Sequence, residues 1–410
     1  VKRLRHIFKE VSIKKCGNEQ QLCATQSYGV IPKKLYSYKT VEVISSDLNS
    51  FKLVKKDNFV ISLRSFEGGI EHSNYQGIIS PAYTILEPQV EIYSFYFKFL
   101  FKSSFFISTL NIHKIGIREG QNISYASLQY TPIPLPPLQE QKEIAEFLDS
   151  KCEKIQNYID KKQKLITLLQ EKKQALINKV VTKGLNPNIE SKNSGIEYLG
   201  LIPHHWEAVK VKFTAYVKGR IGFHGLNSNE FRYDEGAYLV TGNDFDNNEV
   251  IWDKCRRVSE ERFYEDPNIH LQNNDLLITK DGTIGKTAIV NNCPKQATLN
   301  SGIFLVRTMK EMCFVKYLFF IINSQYFKEF VNVKTSGSTI KHLYQSDFHD
   351  LKIPLPPLQE QKQIANFLDE KCEKINSAIE KTKRQIELIK EYKNTLINEA
   401  VCGRINLERK

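Results

Sequence analysis

Gly282-Thr283-Ile284-Gly285-Lys286-Thr287 is the stretch of this chain that comes nearest to a phosphate cradle. A P-loop wraps phosphate with backbone amides over Gly-x-x-x-x-Gly-Lys-Ser/Thr, and this stretch is two residues short of that spacing. It lies between two β-like runs, 276–279 and 288–290, so a hairpin is predicted instead. Asn186-Pro187-Asn188 and Asp266-Pro267-Asn268 lack the Pro-Pro-Tyr continuation of an adenine methyltransferase motif. There is no glycine fingerprint of a dinucleotide or methyl-donor fold. Glu171-Lys172-Lys173 spells the end of a nuclease motif, but inside a long helical stretch it reads as a solvated face. The eight cysteines form no Cys-x-x-Cys pair, and no histidine falls beside them at zinc-ligand spacing. They read as reduced thiols. No catalytic residue and no metal site is expected.

What the chain does have is charge. Lys plus Arg outnumber Asp plus Glu by 58 to 46, a formal net charge of +12. Such an excess favours a polyanionic partner, because each phosphate neutralised releases condensed counterions. No apolar run reaches the roughly 18 residues of a membrane span. The start, Val1-Lys2-Arg3-Leu4-Arg5-His6, has no apolar stretch after its basic residues and is no secretion signal. A cytoplasmic protein with no membrane contact is expected.

The elements that would carry a binding site are written twice. Residues 133–155 read IPLPPLQEQKEIAEFLDSKCEKI and residues 353–375 read IPLPPLQEQKQIANFLDEKCEKI, matching at 20 of 23 positions at an offset of 220. The register holds through Ala175-Leu176-Ile177-Asn178 and Thr395-Leu396-Ile397-Asn398. Each copy begins as a proline-stiffened lead-in and continues in good helix formers, with Gly184 and Pro187 as a stop after the first. Some 45 residues at about 1.5 Å each make a rod of roughly 70 Å.

Alternate steps of four and three trace a seam along each rod. The first is Ile155, Ile159, Lys162, Ile166, Leu169, Lys173, Leu176 and Val180. The second is Ile375, Ile379, Thr382, Ile386, Ile389, Lys393, Leu396 and Ala400. Six of eight are apolar in each, which predicts that the two helices pair as an antiparallel coiled coil and that the halves are related by a pseudo-two-fold. A helix lying on its own domain is the alternative. Ahead of each rod, residues 1–132 and 209–352 are rich in Phe, Tyr, Val, Ile and Thr with polar turns, predicting mixed strands and short helices.

This chain resembles the specificity subunit of type I restriction-modification enzymes over essentially its whole length. The resemblance is carried by the paired Pro-Leu-Pro-Pro-Leu-Gln-Glu-Gln-Lys starts at 134–142 and 354–362 and by the helices after them. Ile202-Pro203-His204-His205-Trp206 is similar to the family's short apolar-Pro-x-x-Trp element. Further matches are Tyr238-Leu239-Val240-Thr241-Gly242-Asn243-Asp244, Thr279-Lys280-Asp281-Gly282-Thr283-Ile284-Gly285-Lys286 and Thr335-Ser336-Gly337-Ser338-Thr339-Ile340. Val1-Lys2 aligns with about Val209-Lys210, leaving no first counterpart of residues 202–206.

The resemblance implies an α+β chain with two mixed α/β target recognition domains separated by the helices, each reading one half of a split asymmetric site in double-stranded DNA. The expected boundaries are 1–132 for the first domain, 133–185 for its helical spacer and 186–208 for a linker, then 209–352 and 353–410 for the second domain and spacer. The resemblance also implies two methyltransferase subunits and, for cleavage, translocase-nuclease restriction subunits. The chain would need no cofactor of its own; S-adenosylmethionine, ATP and Mg would belong to those partners. A coiled-coil scaffold for protein interactions, or the specificity part of a methylation-only system, are the rival readings.

Reading bases needs groups that pair with base edges: Arg or Lys with guanine, Asn or Gln with adenine. In the second domain these are expected at Lys280, Asp281, Thr283 and Lys286 on the hairpin, with Lys218, Arg220, Asn243, Asp244, Ser338, Thr339 and Lys341. In the first they are Arg64, Ser65, His72, Asn74 and Tyr75, after the strand at 59–62, and Arg118, Gln121, Asn122 and Ser124 before the lead-in. Leu138, Phe147 and Leu148 are read as partly core and partly docking surface.

Overall fold

The computed structural model describes residues 1–14, 18–36, 48–63, 65–112, 114–115, 122–196, 199–220, 226–335 and 341–405. The proline lead-ins give way to helix where predicted: α1 runs Leu138–Lys183 and α2 runs Leu358–Val401. Helix α1 stops at Gly184, whose φ of +72° is the left-handed cap that glycine adopts without strain. Every predicted seam position on both helices is buried or half-buried. Among the described residues, no helix is long and apolar enough to cross a membrane.

The chain forms two compact units that cut across its linear order: Val1–Lys164 with Thr382–Lys410, and Leu165–Lys381. Antiparallel pairing is the cause, since it lays the start of each helix against the end of the other. In the first unit Ile155 shares a core with Leu396, Ile397, Ala400 and Val401. In the second, Ile177, Val180 and Val181 share one with Ile364, Ala365, Leu368 and Cys372. There the seam lysine Lys173 donates from Nζ to Asn376 Oδ1 at 2.9 Å, so its charge is satisfied at the seam's edge.

Each unit is built on the same antiparallel sheet. The first contains β1 (Phe8–Val11), β2 (Phe59–Ile61), β3 (Glu71–His72) and β4 (Thr84–Pro88) in the order β1-β4-β2-β3. The second contains β5 (Ala215–Gly219), β6 (Leu276–Thr279), β7 (Thr287–Ile289) and β8 (Ile303–Thr308) in the order β5-β8-β6-β7, extended by two short strands. The second unit adds a three-stranded sheet with Ala237–Val240 at its centre. Two helices follow each sheet, Ser94–Leu100 and Ser104–Ile112 in one, Val315–Ile322 and Gln325–Thr335 in the other. Phe8, Phe59, Phe97 and Phe101 pack edge-on or tilted in the first core. Such pairs add about 0.5–1.5 kcal/mol each beyond burial.

The repeat extends to single hydrogen bonds. Leu4 N–H donates to the Thr131 carbonyl at 2.9 Å as Val211 N–H does to Leu351 at 2.8 Å. The short strand pairings match as well, Lys2 opposite Ile133 and Val209 opposite Ile353. This register puts Val1-Lys2 against Ala208-Val209, one residue from the alignment read off the sequence, because strand pairing fixes what sparse identity could not.

Gln141 and Gln361, both buried, explain why the lead-in motif is repeated so closely. Their Oε1 atoms accept from Tyr93 N–H at 2.9 Å and Phe314 N–H at 2.8 Å, capping the first helix after each sheet. Their Nε2 atoms donate back to the carbonyls of Pro136 and Pro356, 2.9 Å each. The far ends of the long helices are tied reciprocally. Tyr96 Oη donates to the Val401 carbonyl at 3.0 Å, while Tyr317 Oη lies 3.4 Å from that of Val181. Asn398 and Asn178 accept from the N–H groups of Phe105 and Gln325, at 3.3 and 2.8 Å.

Candidate nucleic-acid interface

The near-P-loop of the second unit is a hairpin. β6 and β7 pair antiparallel, Ile278 opposite Thr287, and residues 280–286 turn between them. Gly282 and Gly285 have φ of +65° and +86°, which the turn requires and a side chain would strain. Thr279, buried under the turn, accepts from Lys286 N–H at 3.0 Å and donates to the Thr283 carbonyl. Gly282 is exposed, and a Cβ there would meet nothing within 4 Å among the described residues.

Strand register gathers other loops at this end of the sheet. β5 ends beside the start of β8, Gly219 opposite Phe304, and Thr279 lies opposite Ile303. Lys280, exposed Asp281 and exposed Thr283 stand on the tip, and exposed Lys341 beside His342, which bridges Asp281. Exposed Asn243 joins them because Gly242 packs against Thr279. Half-buried Lys218 is on β5. These are groups that can meet a polyanion. Lys286 is instead engaged by the fold: its Nζ donates to the carbonyls of Gly242 at 2.8 Å and Phe245 at 3.0 Å.

Four predicted contacts are buried and spent on structure. Arg220 donates from Nε to the Leu299 carbonyl at 2.8 Å and from Nη2 to Thr298 at 3.2 Å. Asp244 closes a capping box, accepting from Thr241 N–H at 2.7 Å; burial, with the Asp244 carboxylate adding to it, pushes the Cys255 thiol up to about 12. Ser65 Oγ accepts from Ser62 N–H at 2.8 Å. His72 is packed among Phe59 and Phe95 with Nε2 3.0 Å from Asp57 Oδ1; burial holds its pKa below the ordinary histidine value despite that carboxylate. Polar type alone does not present a side chain to a ligand, and in this structure these four are engaged by the fold.

In the first unit the connection between β2 and β3, which carries the short helix Ser65–Gly68, corresponds to the hairpin, since the two strands pair with Val60 opposite Glu71. Asn74 and Tyr75, both exposed, leave β3 at the other end of the sheet, so the structure separates them from that loop. Ser124 is half-buried and begins a short helix, Tyr125–Leu128, without a side-chain cap bond. Arg64, Arg118, Gln121, Ser338 and Thr339 lie outside the described residues. Asn122 falls in the strand Asn122–Ile123, with its side chain outside them too.

Sequence reasoning missed Tyr28, 68% exposed on a turn whose Gln26 side chain a Cβ at Gly68 would strike at 2.7 Å, which places it at the loop end of the sheet. It also missed His342, Tyr344 and Arg256, the last 5.3 Å from the Phe231 ring and 5.4 Å from that of Tyr233. The contact of Arg256 with rings 25 and 23 residues away in sequence gave no local signal. Among the described residues, no group of three or more His, Cys, Asp or Glu is placed to hold a metal ion.

The sequence model of the type I restriction modification DNA specificity domain matches residues 2–170 and again 224–388. The chain belongs to this family. A putative type I restriction enzyme MjaX specificity subunit from Methanocaldococcus jannaschii is 27% identical over 306 residues, 73% of this chain and 65% of the relative. The MjaVIII specificity subunit of the same organism is 26% identical over 67% of this chain and 62% of its own length. The chain thus spans just under two thirds of these curated relatives. A chain from a structural study of complex assembly and conformational transition of the type I R-M system superposes with a TM-score of 0.76 at 15% identity, covering 98% of this chain and 97% of that one. The HsdS subunit from Thermoanaerobacter tengcongensis gives 0.57 at 16% identity, over 98% and 96%. The specificity fold, two domains with long helices, is therefore shared by this chain.

Proposed function

We propose that this chain reads a bipartite, asymmetric DNA target, one half-site for each unit, and leaves the chemistry to other subunits. The observation that carries this reading is the shared strand order on which two unlike sets of loop residues are mounted. A duplicated platform with different side chains at its loops suits two readers of different sequence. The near-identical lead-ins and helix starts suit one surface offered twice, to two methyltransferase subunits and through them to restriction subunits. S-adenosylmethionine, ATP and Mg then belong to those partners, and the chain works without a cofactor in the cytoplasm. Most of its contacts fall on phosphates, from lysines such as Lys218, Lys280 and Lys341, and the fewer base contacts carry the specificity.

The test is to express the chain with a methyltransferase subunit of a type I system in a host lacking adenine methylation, and to map methylated adenines genome-wide. One split sequence with two unlike halves is the expected result. Methylation at a single continuous site, or none that depends on the chain, would overturn the reading.

A further inference from the structure

The tip of the second unit's hairpin places a carboxylate among lysines. Asp281 is exposed between Lys280 and the open turn at Gly282, with Lys341 nearby. Phosphate repels a carboxylate, whereas an Asp that meets a base edge is favoured where it accepts from an amino group. Asp281 is also held in place. His342 Nδ1 bonds its Oδ1, the two residues form a backbone bridge, and Leu343 N–H donates to the Lys280 carbonyl at 3.0 Å. Lys280 N–H in turn donates to Gly302 at 2.9 Å. His342 leans edge-on against Tyr344, with ring centroids 4.7 Å apart. Asp281 Oδ2 has no hydrogen-bond partner among the described residues; the Cβ position at Gly302 is 3.7 Å away.

We propose that Asp281 Oδ2 accepts from an exocyclic amino group at the edge of one base, cytosine N4 or adenine N6, in the half-site read by the second unit. His342 is a positioning residue: by occupying Oδ1 it turns Oδ2 outward and partly offsets the carboxylate's repulsion by phosphate. This rests on the DNA-reading function above and names the group read.

The experiment uses the full chain with its methyltransferase subunit, selecting from duplexes randomised at both half-sites. Wild type should enrich one split sequence. Asp281→Ala should lose preference at one base pair of one half-site, by about 5–150-fold, the range of one good base contact. Asp281→Asn, nearly isosteric, should shift preference at that same pair toward adenine, which an amide pairs through N6 and N7, or keep it if adenine is already read. His342→Leu should relax the same pair, and His342→Asn, which can still donate, should restore it. Unchanged preference at every pair in Asp281→Ala and Asp281→Asn would overturn the inference while leaving the function intact. A loss spread evenly over all sequences would overturn it as well, marking a hairpin that only holds phosphate. If wild type enriches nothing, the function falls and this inference with it.

Discussion

Glu71 and His72 are neighbours on β3 whose titrations oppose each other. Burial pushes the Glu71 carboxyl up from 4.5 to about 7, and the Lys102 ammonium beside it only partly offsets that. The folded state therefore holds a proton that the unfolded chain has released, so stability from this group is full below about 4.5 and lost as pH rises through 7. His72, with its pKa lowered, acts the other way and costs stability as pH falls through 6.5. Glu71→Gln should flatten the loss between pH 5 and 8, a difference of about 1–3 kcal/mol. Thermal unfolding at both pH values checks it, and an unchanged slope would be against it. Lys286 belongs to the same scale. Since its ammonium spans two carbonyls, Lys286→Met should lower stability by about 1–2 kcal/mol and weaken DNA binding equally on every sequence. A changed preference at one base pair with unaltered melting would instead make it a base reader. None of this was legible from residue type. Arg220 bonds to a carbonyl 79 residues away, and no local pattern announces that distance.

At the scale of elements the sequence was far more readable. A 3.5-residue period sustained over eight seam positions leaves few alternatives to a paired helix, and the hairpin followed from turn glycines between β-branched runs. The lead-in motif was legible as a repeat but not as a joint, because the glutamines' partners, Tyr93 and Phe314, lie 48 and 47 residues upstream. Gln361→Leu strands the Phe314 N–H and the carbonyls of Pro356 and Met312, the Pro356 bond buried and the other two part-buried. Each unpaired group costs about 1–3 kcal/mol. Denaturant unfolding should show Gln361→Leu and Gln141→Leu among the more damaging single changes, while Gln139→Leu, on the exposed side of the same turn, should cost under about 0.5 kcal/mol. Equal effects would deny the joint.

At the scale of the molecule, specificity should be exchangeable in blocks. Residues 209–352 hold the second sheet with its loops and leave both long helices untouched. Replacing them with the matching block of another family member should change one half of the methylated sequence and leave the other as it was. Methylome mapping reads this directly, and a change in both halves would contradict two independent readers.

The reciprocal tie of the helix ends also orders events on the ribosome. The second unit is one unbroken stretch, 165–381, and has all its core once that stretch has emerged. The first unit is translated earlier yet must wait, because Leu396, Ile397, Ala400 and Val401 complete its core and the Tyr96–Val401 bond closes a loop of 305 residues. At about 5–20 residues per second that wait lasts roughly 15–60 seconds. Limited proteolysis of arrested nascent chains should find the later-made unit protected first, and the earlier-made one the last to become native.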